Sequence, residues 1–406
     1  MLLVKSVAVA ATDPFARSHD RPRSLRRAPL VRNAQHASRF PAFDHLRVLV
    51  IALVVLQHVA LGYMEGGQAA SGGAYTNGSA PVVDRAQWSG FNVVVTWTNG
   101  FFMPLMFLLS GLFVRPSLAR KGLRQYLVDR GVRLGIPLLV GVVTIVPLSY
   151  YAAFLLSGGS DSFATFWTHM VTVGPWPSGP LWFVGALLVF DAALAMVLAQ
   201  DRVWELARRT GQLLDRMPAG AWPMLFIVAS AAAYLPFHLA FGTSHWLTAG
   251  PFGIQSSRIG LYFLSFAAGA LIGPERLARA FDRHWIRWPL LAVVATAAFF
   301  ALEGRQVPAW VDGVMLVLFS TITTFALLAL AVRFFRTSGL IGNSLSANAY
   351  GIYLVHWPIV LWLQLLLLWA ALSPLAKGAL ALTLGFTLSW AASSLLRRLP
   401  GVAPAV

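Results

Sequence analysis

After residue 40 the chain consists of long apolar runs separated by short polar stretches. Ten runs approach or reach the roughly 20 residues that cross a bilayer core: 46–63, 91–114, 134–156, 181–199, 220–238, 257–274, 288–303, 311–332, 346–370 and 378–396, of which 288–303 is the shortest. This pattern predicts an all-α, polytopic integral membrane protein with about 10 transmembrane helices. Composition agrees: 57% of residues are hydrophobic and 11% charged, where soluble domains carry about 25% charged residues. There is no cysteine, which excludes disulfides, thiolate metal sites and a cysteine acyl-enzyme.

The first forty residues differ. Lys5, Arg17, Arg21, Arg23, Arg26, Arg27, Arg32 and Arg39 come with proline and serine and few apolar neighbours, so segment 1–40 reads as a disordered, basic cytoplasmic tail. The membrane domain is expected over 41–398, with a short tail at 399–406. Charge also orients the spans. With both termini placed in the cytoplasm, only Arg85, Arg258, Arg305 and Lys377 of the 31 basic residues fall outside. The net charge of +16 is thus an orientation signal, and no nucleic-acid partner is called for, since that needs a contiguous basic face. The outer segments Gly62 to Ser89 and Ser157 to Pro180 are rich in glycine, serine and aromatics. Trp88, Trp97, Trp167, Trp176, Trp182, Trp246 and Trp310 lie at or near that boundary, either as an interfacial belt or as platforms for sugar rings.

Few ionisable residues interrupt the spans. His58 lies inside the first, with Asp44 and Arg47 at its inner entry. An intramembrane histidine is expensive and marks a functional site or a satisfied interhelical contact. Arg47 and His58 are eleven residues apart, roughly 16 Å of helical rise and nearly one face. Imidazole titrates near neutrality and can accept a proton from a hydroxyl. Asp44 and Arg47 suit either a surface ion pair at i,i+3 or, for Arg47, an anion-holding role. His356 sits about as deep in the ninth span, which runs in the same direction as the first. Arg130 and Arg133 form an RxxR pair inside the membrane; guanidinium forks suit phosphates, and ordinary positive-inside charge would look the same. Ser110–Gly111 suits close helix packing, and a serine nucleophile there would need a base. No GxSxG, HExxH, P-loop or GxGxxG occurs, and no metal site is expected.

Together these motifs resemble the membrane acyltransferase-3 family. DHLRVLVIALVVLQH is similar to its first-helix signature, an Arg followed by ten residues and a His, matched here by Arg47 and His58. FFMPLMFLLSGLFVRPSLARKGLRQYLVDRGVRLGIP resembles its second block, and GPLWFVGALLVF and LSANAYGIYLVHWPI two later ones. His45 stands where a small residue is more usual. The glucan succinyltransferase branch is nearest in style.

The resemblance implies transfer of an acetyl or succinyl group from cytoplasmic acyl-CoA, a cosubstrate rather than a bound cofactor, to a hydroxyl of an extracytoplasmic glycan or glycolipid. It implies His58 as the catalytic residue, with Arg47 essential, and Arg130 and Arg133 at the acyl donor. Asp44, Ser110, His356 and Trp182 complete the expected substrate site. The chain ends too soon after the last span for the extra C-terminal hydrolase-like domain of many relatives. Expected partners are membrane lipids, acyl-CoA and the glycan acceptor, with homo-oligomerisation open, in a bacterial inner membrane. The rival reading is a proton-coupled transporter using His58, His356 and Arg47, although no pair of related halves with interrupted helices is visible.

Overall fold

Pro41 opens α1 (Pro41–Leu61), occupying a first-turn position where its missing N–H costs nothing. Residues 40–67, 72–73, 75, 82–174, 176–217, 221–282, 284–337 and 339–400 are described by the computed structural model. The expected 1–40 tail therefore lies outside the described residues except for Phe40, as does residue 401 onward of the 399–406 tail.

In chain order α1 is followed by α2 (Gly90–Gly111), α3 (Val114–Lys121) and α4 (Leu123–Arg130), then a π-helical turn at Gly131–Gly135. Next come α5 (Ile136–Val143), α6 (Ile145–Leu156), α7 (Phe163–Thr172), α8 (Trp182–Leu198), α9 (Asp201–Arg216) and α10 (Ala221–Phe241). A hairpin of β1 (Trp246–Ala249) and β2 (Phe252–Gln255) precedes α11 (Ile259–Ile272), α12 (Pro274–Asp282) and α13 (Arg287–Leu302). The last three are α14 (Ala309–Phe334), α15 (Leu340–Leu367) and α16 (Pro374–Leu396).

Eight helical stretches among the described residues are long and apolar enough to cross a membrane, and a ninth if α11 and α12 count as one bent span. That bend is 92°. It turns on Gly273, whose φ of +74° is closed to most side chains. The run expected at 288–303 is α13, an apolar helix of 16 residues, only about 24 Å long at 1.5 Å per residue.

The hairpin is a local departure from the expected all-α architecture. Gly250, at φ +57°, makes its turn, and Trp246 pairs with Gln255. The stretch WLTAGPFGIQ is too short and too mixed to stand out beside helical runs of 20 residues.

α1 packs against α2, α14, α15 and α16, so the helix carrying His58 is surrounded by the bundle. α2 meets α11 through small residues. A Cβ on Gly111 would lie 2.0 Å from the Phe266 carbonyl oxygen, and one on Gly269 would lie 2.2 Å from that of Leu108. Each glycine thus admits the other helix's backbone. The periphery is apolar outward: Met224, Val228 and Leu239 on α10, Leu290, Val293 and Val294 on α13, and Leu384 and Leu388 on α16 are exposed. Such a surface is stable against lipid chains and not against water.

Candidate active site

His58 is carried in the C-terminal third of α1. The helix end beyond it is held by Gln364 of α15, whose side-chain nitrogen donates to the carbonyls of His58 (3.2 Å) and Val59 (3.0 Å). These are among the carbonyls a helix terminus leaves without partners. One residue before the histidine, Gln57 accepts from the hydroxyl of Thr98 on α2 at 2.9 Å. Two neighbouring helices therefore fix the depth and rotation of the His58 segment.

His58 lines a cavity of about 620 Å³. Asn99, Phe102, Tyr262 and Tyr353 line it, together with Pro177–Pro180, Trp182 and the hairpin residues Trp246 and Gln255. Trp182 lies in this wall, stacked on Tyr262 with ring centres 5.8 Å apart and edge-on to Trp246 at 5.6 Å. Trp357 is a third indole there. The cavity combines aromatic faces with amide and phenol groups, as small-molecule sites do.

His356, fully buried on α15, lies behind His58 with ring centres 5.2 Å apart. Its Nδ1 is 2.6 Å from the Tyr353 carbonyl. A carbonyl only accepts, so Nδ1 carries a proton and the lone pair of the neutral ring is on Nε2. That Nε2, and Nδ1 of His58, have no hydrogen-bond partner among the described residues. Pro358 follows two residues later and removes an N–H from the helix ladder at this level. Among the described residues, neither histidine has a carboxylate within 4.0 Å; the one histidine ion pair there is His238–Asp312. No group of three His, Cys, Asp or Glu that could hold a metal ion occurs among them either.

The other expected residues gather at the opposite end of α1. Arg47 donates to the Leu109 carbonyl at 3.1 Å, faces Asp44 at 3.5 Å and covers the Phe113 ring. Ser110 adjoins Leu109, twelve residues along α2 from Thr98. It therefore lies roughly 18 Å from the level of His58. The structure brings Ser110 to Arg47 and not to the histidine.

Arg130 and Arg133 are near enough to Arg47 for the three charges to repel one another. They are used differently. Arg130 pairs with Asp191 of α8 at 3.5 Å and lies over Tyr126, whose hydroxyl also donates to Asp191. Asp191 is 1% exposed, so Arg130 neutralises a carboxylate that would otherwise be stranded. Arg133 falls within the π-helical turn and is exposed. π-Turns inside α-helices are uncommon and concentrate at functional sites.

Asp191, Gln364, Tyr353 and the hairpin did not stand out in the sequence. Asp191 had a signal, an acid inside the otherwise apolar run WFVGALLVFDAALAMVL. Gln364 is one amide among leucines and had none.

Comparison with known proteins adds one finding. The sequence model of an acyltransferase domain, that of the acyltransferase-3 family, matches residues 40–394. No curated protein and no solved structure matches the chain.

Proposed function

The chain belongs to the membrane acyltransferase-3 family, and from that premise we propose that it moves an acyl group from cytoplasmic acyl-CoA to a hydroxyl of an extracytoplasmic glycan, with His58 as general base. One observation carries the reading: His58 lines an aromatic cavity with an unpartnered ring nitrogen and an oriented second imidazole behind it.

The donor's phosphates meet the inner cluster of Arg47 and Arg133, where Arg130 adds charge while holding Asp191. The pantetheine arm bridges the interval between Arg47 and His58, roughly 16 Å of rise. The sugar enters the cavity against Trp182 and Trp246. His58 takes the hydroxyl proton as the oxygen attacks the thioester carbon. The tetrahedral intermediate then collapses with loss of the CoA thiolate, which receives that proton from His58. His356 fixes the face that His58 presents. The host membrane on this reading is a bacterial inner membrane.

The test uses purified protein with labelled acetyl-CoA and succinyl-CoA and a glucan acceptor. Release of CoA with label on the glycan is expected. His58→Ala should abolish both while the purified protein keeps its helical content. Wild-type turnover in that variant would remove His58 from the chemistry, and substrate passage without CoA release would show a transporter.

A further inference from the structure

Four basic residues fall on the outer side by the charge census, and the structure accounts for three of them. Lys377 is buried against Asp84 at 2.7 Å. Arg85 and Arg305 are exposed. Arg258 is 7% exposed, and no carboxylate lies within 4.0 Å of it among the described residues. Its guanidinium donates to the Asn99 carbonyl at 2.5 Å and shares a hydrogen bond with the Tyr262 hydroxyl, while its Nε has no hydrogen-bond partner among the described residues. These partners are neutral, and Tyr234, which also interacts with Arg258, is linked to Asp312 only through His238, so the positive charge is buried with no carboxylate in contact with it, an arrangement that ordinarily costs stability.

The position compounds the anomaly. Arg258 is the residue immediately before α11. The first turn of a helix carries the positive end of its dipole, which favours anions and disfavours cations. Guanidinium and helix terminus thus add to one positive field. Asn99, Gln255 and Tyr262, the residues around Arg258, all line the cavity of His58. Arg258 itself stands behind that lining, held to it through Asn99 and Tyr262, and Asn99 follows Thr98, the residue bonded to Gln57, so this field stands about level with the histidine. Charges act over several ångströms in such a low-dielectric interior.

We propose that Arg258 is the specificity residue for a substrate bearing a carboxylate beside its reacting centre, the carboxylate supplying the missing counter-charge. This rests on the transfer reading above. The carboxylate has two sources, the far end of a dicarboxylic acyl group or an acidic sugar of the acceptor.

Two arms of one experiment separate them. The first compares succinyl-CoA with butyryl-CoA on a neutral glucan. The second compares a glucuronate-containing acceptor with a neutral glucan, using acetyl-CoA. The wild type should prefer the carboxylate in one arm, and Arg258→Met should cut that preference, as a ratio of kcat/KM, roughly 30-fold or more. Arg258→Lys, which keeps the charge, should retain most of it. A binding readout needs no turnover: thermal stabilisation of the detergent-solubilised wild type should be greater with succinyl-CoA than with butyryl-CoA, or with glucuronate than with glucose. No preference in either arm, or a ratio unchanged by Arg258→Met, overturns the proposal. If no acyl-CoA is consumed at all, the transfer reading falls, and the stabilisation measurements still decide the role of Arg258.

Discussion

Each of the two imidazoles leaves one ring nitrogen without a hydrogen-bond partner among the described residues, and their proposed roles differ. His58 reaches the cavity; His356 is fully buried behind it. His58→Gln should lower kcat about 10²–10⁴-fold, the usual worth of a general base. His356→Phe keeps a ring of similar size but loses the bond to the Tyr353 carbonyl, and should lower kcat less, with the KM for acyl-CoA unchanged. Steady-state kinetics on both variants check this; equal losses would mean that the histidines act as one unit. The arginines divide similarly. Arg133→Ala should raise the KM for acyl-CoA and leave the melting temperature in place. Arg130→Ala strands Asp191 and should destabilise the protein by about 3–5 kcal/mol. Asp191→Asn in the same chain should restore much of that. Thermal unfolding of the three purified variants reads the difference.

Among elements, the contact of α2 with α11 is close enough for backbone to meet backbone, at Gly111 and Gly269. Gly269→Leu has no free space to enter and should separate the helices, moving Tyr262 and Thr98 together. Loss of monodisperse protein after detergent extraction is the expected outcome, whereas Ala268→Leu one residue away should be tolerated. The Ser-Gly pair that signals this contact was legible in the sequence, since small residues in an apolar run predict close packing. The common depth of His58 and His356 was legible too, from their positions within parallel spans. What brings the rings to 5.2 Å is the packing of α1 on α15, three hundred residues apart, which no local pattern encodes. The RxxR spacing suggested two equivalent guanidinia. Asp191 separates their roles, and its contact with Arg130 is again tertiary. Neither the π-turn under Arg133 nor the hairpin over the cavity has a periodic signature, so both were invisible.

For the whole molecule, the proposed reaction needs a direction: Arg133 on the donor side and the Trp182 cavity on the acceptor side. The charge distribution supports that orientation through the positive-inside rule, and the absence of native cysteine makes it directly testable. Ser160, exposed in the loop between α6 and α7, and Gln212, exposed on α9, should lie on opposite faces. A membrane-impermeant maleimide should label Ser160→Cys in intact spheroplasts and Gln212→Cys only after permeabilisation. Both substitutions fall on exposed polar positions away from the cavity, where replacements usually change stability by less than about 0.5 kcal/mol. Their transfer activity therefore reports that the labelled protein is native. The reverse pattern would put the arginine cluster outside, where cytoplasmic acyl-CoA has no access, and would end the donor assignment whatever the histidine variants show. Labelling of both sites from one side would mean that the chain crosses the membrane an even number of times between Ser160 and Gln212. That outcome would break the alternation that puts Arg258 on the outer side.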